Sequence, residues 1–196
     1  MSTDSIRNPY LPTPMHVLHA YYESTDRTLK TLELSFDNPQ DSAAFFRKFN
    51  PGQFCQLSVF GKGESPIGVA SAAWEGDFVR FTVQKMGAVT KALHKLQPGD
   101  PLGMRGPLGN GFPLEAWKGK NLVIIGGGCA FSTLYALTKH VQHPQNRPDF
   151  GQIIVIYGAR SSGLCMYKHD IQSWYKREDM EVHQAIDIPE EDWTHH

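Results

Sequence analysis

Apolar and polar residues alternate along the first half of the chain and give way to solid apolar runs in the second. Leu32, Leu34 and Phe36 alternate with Thr31, Glu33 and Ser35, the period-two signature of a half-buried strand. Residues 54–60 follow the turn signal Asn50-Pro51-Gly52, and residues 78–84 follow Glu75-Gly76-Asp77. Ahead of them, Asn8-Pro9-Tyr10-Leu11-Pro12-Thr13-Pro14 is an extended lead-in that its prolines keep out of a helix. Short β segments at this spacing from Met15 to Gln84 predict a small antiparallel barrel. Val89, Ala92, Leu93 and Leu96 share one face of a short helix, which Pro98-Gly99-Asp100 ends.

The second half changes period. Glu115 to Lys120 marks the boundary, dividing the chain into a β domain over 1–117 and an α/β domain over 118–196. Strand 122–125, helix 130–141, strand 153–157, helix 166–176 and strand 181–186 form βαβαβ, one half of a doubly wound parallel sheet. The unbroken run Leu122-Val123-Ile124-Ile125 predicts a strand buried on both faces.

Composition narrows the function classes. The formal net charge is −1 over 196 residues and the cations are scattered, which gives no footprint for nucleic acid. No apolar run is long enough to span a membrane, and the polar, acidic start carries no secretory signal. Three widely spaced cysteines, Cys55, Cys129 and Cys165, form no CxxC motif and fit reduced thiols in a cytoplasm. His94 and His140 fall in helical stretches and read as surface residues.

Candidate chemistry lies at the strand ends. Gly126-Gly127-Gly128 closes the first parallel strand just before a helix, where backbone can approach a phosphate and helix N–H groups face it. The triplet is not GxGxxG, because Phe131 holds the third glycine position. Tyr157-Gly158-Ala159-Arg160 ends the next strand, at the carboxyl edge where open α/β sheets bind ligands. In the β domain, Met86-Gly87-Ala88-Val89-Thr90 is either an anion site or a plain helix cap, and local pattern favours the cap. Pro66-Ile67-Gly68-Val69-Ala70-Ser71 is a small-residue run that either lies against a flat aromatic ring or simply turns into a strand. Cys129 reads as a packed small hydrophobe.

Taken in order, these segments resemble the ferredoxin–NADP reductase superfamily. The resemblance rests on Asn-Pro-Tyr-Leu-Pro at 8–12, Pro51-Gly52-Gln53-Phe54, Gly63-Glu64-Ser65-Pro66-Ile67 and Phe81-Thr82-Val83 with Gly87 and Thr90. It continues through Pro98-Gly99-Asp100, residues 105–113, Gly126 to Gly128 and Tyr157 to Arg160. More narrowly, the chain is similar to the FAD- and NAD(P)-binding gamma subunits of hydrogenase, sulfhydrogenase and heterodisulfide-reductase-linked complexes. The anaerobic sulfite reductase B subunit and the dihydroorotate dehydrogenase electron-transfer subunit share the pattern.

The resemblance implies an antiparallel FAD-binding β-barrel followed by a truncated doubly wound nucleotide-binding domain. It puts Ser65 to Ser71 along the isoalloxazine, Phe81, Thr82 and Val83 near the flavin, and Gly87 and Thr90 at the FAD pyrophosphate, with Val89 also binding FAD. Gly126, Gly127 and Gly128 would face the NAD(P) phosphates, with Tyr157, Gly158, Ala159 and Arg160 beside the ribose. The implied role is a cytoplasmic flavoprotein passing electrons between NAD(P)H and iron–sulfur subunits of a hydrogenase, heterodisulfide-reductase or sulfite-reductase type complex. The isoalloxazine performs that chemistry, so no acid–base residue is expected. The alternative is a non-catalytic docking module that keeps the fold.

The chain departs from the family pattern at several points. Ser65 stands where the flavin motif has arginine, and Gly68 where it has serine. Ala130 and Thr133 stand where the glycine-rich turn usually has glycine and proline. The family usually continues through a Cys-Gly-Pro segment and a cysteine cluster for a [2Fe–2S] centre, whereas this sequence ends at Trp193-Thr194-His195-His196. Residues 122–125 are therefore expected to be an exposed edge, covered by a partner or by further chain.

Overall fold

The computed structural model describes residue 8, residues 10–191 and residue 193. Pro9 of the lead-in and the terminal Thr194-His195-His196 lie outside them. Strands β1 (Thr13–Tyr22), β2 (Leu29–Phe36), β3 (Phe54–Val59), β4 (Gly63–Gly68), β5 (Val79–Gln84) and β6 (Pro101–Leu108) pair in the order β4-β3-β6-β1-β2-β5. Leu32 lies opposite Phe81 and Leu34 opposite Val79, but β2 is not the half-buried strand its alternation predicts, because Thr31 and Glu33 on its polar face are buried as well. Side chains from both strands fill one core with Met15, Val17, Leu57 and Met104. The sheet curls like a barrel but does not close, and its edges meet only at a Val69–Phe81 bridge among the described residues.

Pro66 sits inside β4, so residues 66–68 are strand rather than a turn. Proline is tolerated there because β4 is an edge strand. One element went unread: α1 (Pro39–Lys48) interrupts the β region. Asn38 accepts the Gln40 N–H as its cap, and Pro39 occupies the first turn. Phe45 and Phe46 then pack tilted and edge-on against Phe36, and Phe49 stacks on Phe45, all against the barrel.

Helix α2 (Ala88–Leu93) precedes β6, and α3 (Leu114–Trp117) leads into β7 (Leu122–Gly127), α4 (Phe131–Val141), β8 (Ile153–Ala159), α5 (Lys168–Trp174) and β9 (Glu181–Ile186). The three last strands pair in parallel in the order β7-β8-β9. Leu122, Ile124, Val155, Phe131 and Tyr135 share a second core.

The expectation that β7 is buried on both faces is not met. Leu122 and Ile124 are buried, whereas Val123 is 57% and Ile125 65% exposed. Apolar continuity marks both faces as apolar but does not supply the layer that covers the second one. β7 is also the edge of its sheet. Ile125→Lys is therefore expected to change stability by no more than about 0.5 kcal/mol while lowering self-association of residues 1–196. Light scattering beside a melting curve checks both. No helix among the described residues is long and apolar enough to cross a membrane.

Candidate functional site

A groove of about 550 Å³ runs where β4 and β5 diverge. One wall is formed by Ser65, Pro66, Ile67 and Gly68 of β4. Thr82 and Gln84 form the floor, and residues 86–90 close one end. The opposite wall comes from the α/β half, as Cys129, Ala130, Ser132 and Thr133 at the start of α4. The groove thus lies between the two halves of the molecule.

Of the residues assigned to a flavin, the structure brings Pro66, Ile67, Gly68, Thr82, Gly87, Val89 and Thr90 to this groove. It places Val69, Ala70, Ser71, Phe81 and Val83 in the interior instead. Phe81 and Val83 face the barrel core, and Ser71 Oγ accepts the Arg80 N–H at 3.0 Å. The Thr82 hydroxyl turns away from the groove, 2.7 Å from Thr31 Oγ1 and 2.6 Å from Tyr167 Oη.

At the α2 end, Thr90 Oγ1 accepts the N–H groups of Met86 and Gly87, both at 2.9 Å. The hydroxyl therefore holds the turn. Space beside Gly87 is open, since an added Cβ there would meet nothing within 4 Å. Among the described residues, no lysine or arginine lines the groove. Glu64 at its rim is paired with Arg105 at 2.5 Å, and the Arg105 and Ser58 hydrogen bonds hold its pKa down at about 2.

The nucleotide-side residues also meet. In the β7–β8 ladder Gly126 lies opposite Tyr157 and Gly127 opposite Gly158. Their roles differ. Gly126 is a packing residue, because a Cβ there would stand 2.4 Å from Leu134 Cδ1. Gly128 has φ +53°, and both it and Gly158 border open space, so backbone is accessible to a ligand there. Tyr157 is buried, stacks on Phe131 and accepts the Met166 N–H at 3.1 Å, which makes it core. Ala159 is buried, while Arg160 is exposed at the strand end.

Sequence reasoning missed the residues that join the halves. Arg80, which the sequence offers only as a possible cation beside the Gly87–Thr90 turn or as a solvated side chain, donates to Glu33 at 3.0 Å, to Glu75 at 3.0 Å and to the Tyr135 hydroxyl at 3.2 Å. Tyr135 donates in turn to Asp170 and stacks on Tyr167 with ring centroids 3.8 Å apart. Burial pushes both phenols well above the usual tyrosine range, so both stay protonated. Burial likewise raises the Cys129 thiol, whose Sγ lies 3.7 Å from the Thr82 carbonyl. His94, read as a surface residue, is buried with Nε2 at 2.8 Å from the Val83 carbonyl. His140 is half-buried.

No protein-family model matches the chain. It is 36% identical to the sulfhydrogenase 1 gamma subunit of Pyrococcus furiosus over 162 residues, covering 82% of this chain and 53% of that protein. It is 38% identical over 135 residues to the probable dihydroorotate dehydrogenase B electron-transfer subunit of Thermococcus kodakarensis, covering 67% of this chain and 52% of that protein. The chain thus spans about half the length of these relatives. Its fold superposes on a ferredoxin–NADP⁺ reductase variant from Plasmodium falciparum with a TM-score of 0.75 at 14% identity, over 92% of this chain and 72% of that one.

Proposed function

From its likeness in sequence to electron-transfer and gamma subunits and in fold to a ferredoxin–NADP⁺ reductase, we propose that the chain belongs to the ferredoxin–NADP⁺ reductase superfamily and is a flavoprotein electron-transfer subunit working between NAD(P)H and iron–sulfur partner subunits through FAD. One observation carries the reading. Cys129, directly after Gly126-Gly127-Gly128, touches the Thr82 carbonyl on the floor of the groove, so the nucleotide end and the groove adjoin.

The residues present fit FAD. Strand β4 from Pro66 to Gly68 offers a wall without bulky polar side chains, and the open space at Gly87 admits phosphates to the free N–H groups at the start of α2. Bound there, FAD would supply the conversion between hydride and single electrons. The chain's own task is to seat the ring against β4 and to bring NAD(P)H to Gly127, Gly128 and Gly158. Arg160, exposed at the end of β8, is positioned for the ribose or its phosphate. The partners are iron–sulfur subunits of a hydrogenase or dihydroorotate-dehydrogenase type assembly, as the names of the relatives support.

The groove's lack of a cation favours one second reading, a docking module that keeps the fold without the cofactor. Anaerobic addition of NADH or NADPH to natively purified protein separates the two. Bleaching of a flavin band supports electron transfer, and a colourless protein leaves the docking module.

The phosphate end gives a graded prediction. Thr90→Val removes the oxygen that accepts two turn N–H groups, and losing such a cap costs about 0.5–2 kcal/mol. FAD affinity is expected to fall by up to about tenfold, with Thr90→Ser restoring it. Calorimetric titration of both variants measures the difference.

A further inference from the structure

The first turn of α4 carries two hydroxyls that the reading above does not use. Ser132 is only 5% exposed, yet its hydroxyl has no hydrogen-bond partner among the described residues, and the residue lines the groove. Ser132 Oγ is not among the fully buried unpartnered side-chain atoms of the described residues, so the hydroxyl opens onto the groove, where it is free to meet a ligand atom. Thr133 lies beside it and is likewise unpartnered. By contrast, Thr138 one turn further on donates to the Leu134 carbonyl at 2.9 Å, the usual satisfaction for a helical threonine.

Across the groove, Gly68 leaves room that Thr133 fills. A Cβ on Gly68 would stand 2.2 Å from Thr133 Oγ1. The hydroxyl therefore occupies the place where a side chain at position 68 would begin. A glycine on one wall and a threonine on the other deliver a polar atom to the same point from the opposite half of the molecule.

We propose that Ser132 and Thr133 hydrogen-bond the polar edge of the planar heteroaromatic ring that lies on residues 66–68, and so select and orient that ring. This rests on the flavin reading of the groove. It assigns ring recognition to α4, whereas the α2 end holds only the phosphates.

The test compares two probes on the full chain. FAD carries both the ring and the pyrophosphate, and ADP carries the pyrophosphate without the ring. In Ser132→Ala and Thr133→Val, FAD affinity is expected to fall about three- to tenfold for each hydroxyl removed, while ADP affinity stays unchanged. The bound flavin's absorption maximum and reduction potential should shift as well. Gly68→Ser alone should weaken FAD binding, because its Cβ overlaps Thr133. Combined with Thr133→Ala, it should recover affinity by returning a hydroxyl from the other wall.

Equal losses for FAD and ADP would make the two residues structural and overturn the proposal. Unchanged FAD affinity, spectrum and potential would overturn it too. Failure of the unsubstituted protein to bind FAD is a separate result, which overturns the flavin reading itself.

Discussion

Replacing Arg80 by Met is expected to lower stability by about 3–5 kcal/mol, the usual loss when one partner of a buried ion pair is removed. The guanidinium bridges Glu33 and Glu75, and all three side chains are at most 11% exposed. Without it Glu33 keeps only a largely exposed His19 at 2.9 Å and a long Tyr21 bond, and Glu75 keeps Lys139 at 2.9 Å. The Tyr135 hydroxyl also loses a donor across the joint between the two halves. Arg80→Lys should recover only part of the loss, because a point charge cannot reproduce the guanidinium fork. Urea unfolding with the slope held common reads both values. A loss under about 1 kcal/mol for Arg80→Met would show that the network is not what joins the halves.

Phe81→Ala is expected to cost a similar amount, about 3–5 kcal/mol, as a truncation in a packed core. The Phe81 ring is fully buried between β2 and the Val69 bridge, and it faces the barrel interior rather than the groove. Phe81→Leu keeps most of the volume and should cost less than about 1.5 kcal/mol. Thermal unfolding distinguishes this core role from contact with a ring. If Phe81→Ala kept its melting temperature and lost FAD affinity alone, the side chain would belong to the site.

Local pattern carried most of the architecture. The alternation through Leu32, Leu34 and Phe36 marked the strand but not the burial of its polar face, and the glycine triplet ended β7 just before a helix. The start of α1 was also legible, since Asn38-Pro39 is a cap followed by a first-turn proline. It was obscured by its setting within a β region.

The site was less legible, because its second wall is non-local. Nothing near Gly68 indicates that Thr133 will fill the space beside it. A lone arginine in a strand reads as solvated. Arg80 is buried only because folding brings Glu33 and Tyr135 to it from 47 and 55 residues away. Thr82 reaches the groove, but strand alternation turns its neighbour Phe81 into the core. The Thr82 hydroxyl is engaged by Thr31 and Tyr167.

Titrating flavin-stripped protein with FAD, and following flavin fluorescence to saturation, reads whether the groove between β4, β5 and the start of α4 takes the cofactor. Saturable binding of one FAD per chain is expected, weakened by Thr90→Val and by Thr133→Val. Absence of saturable binding, or saturable binding that neither substitution alters, would contradict FAD binding in this groove.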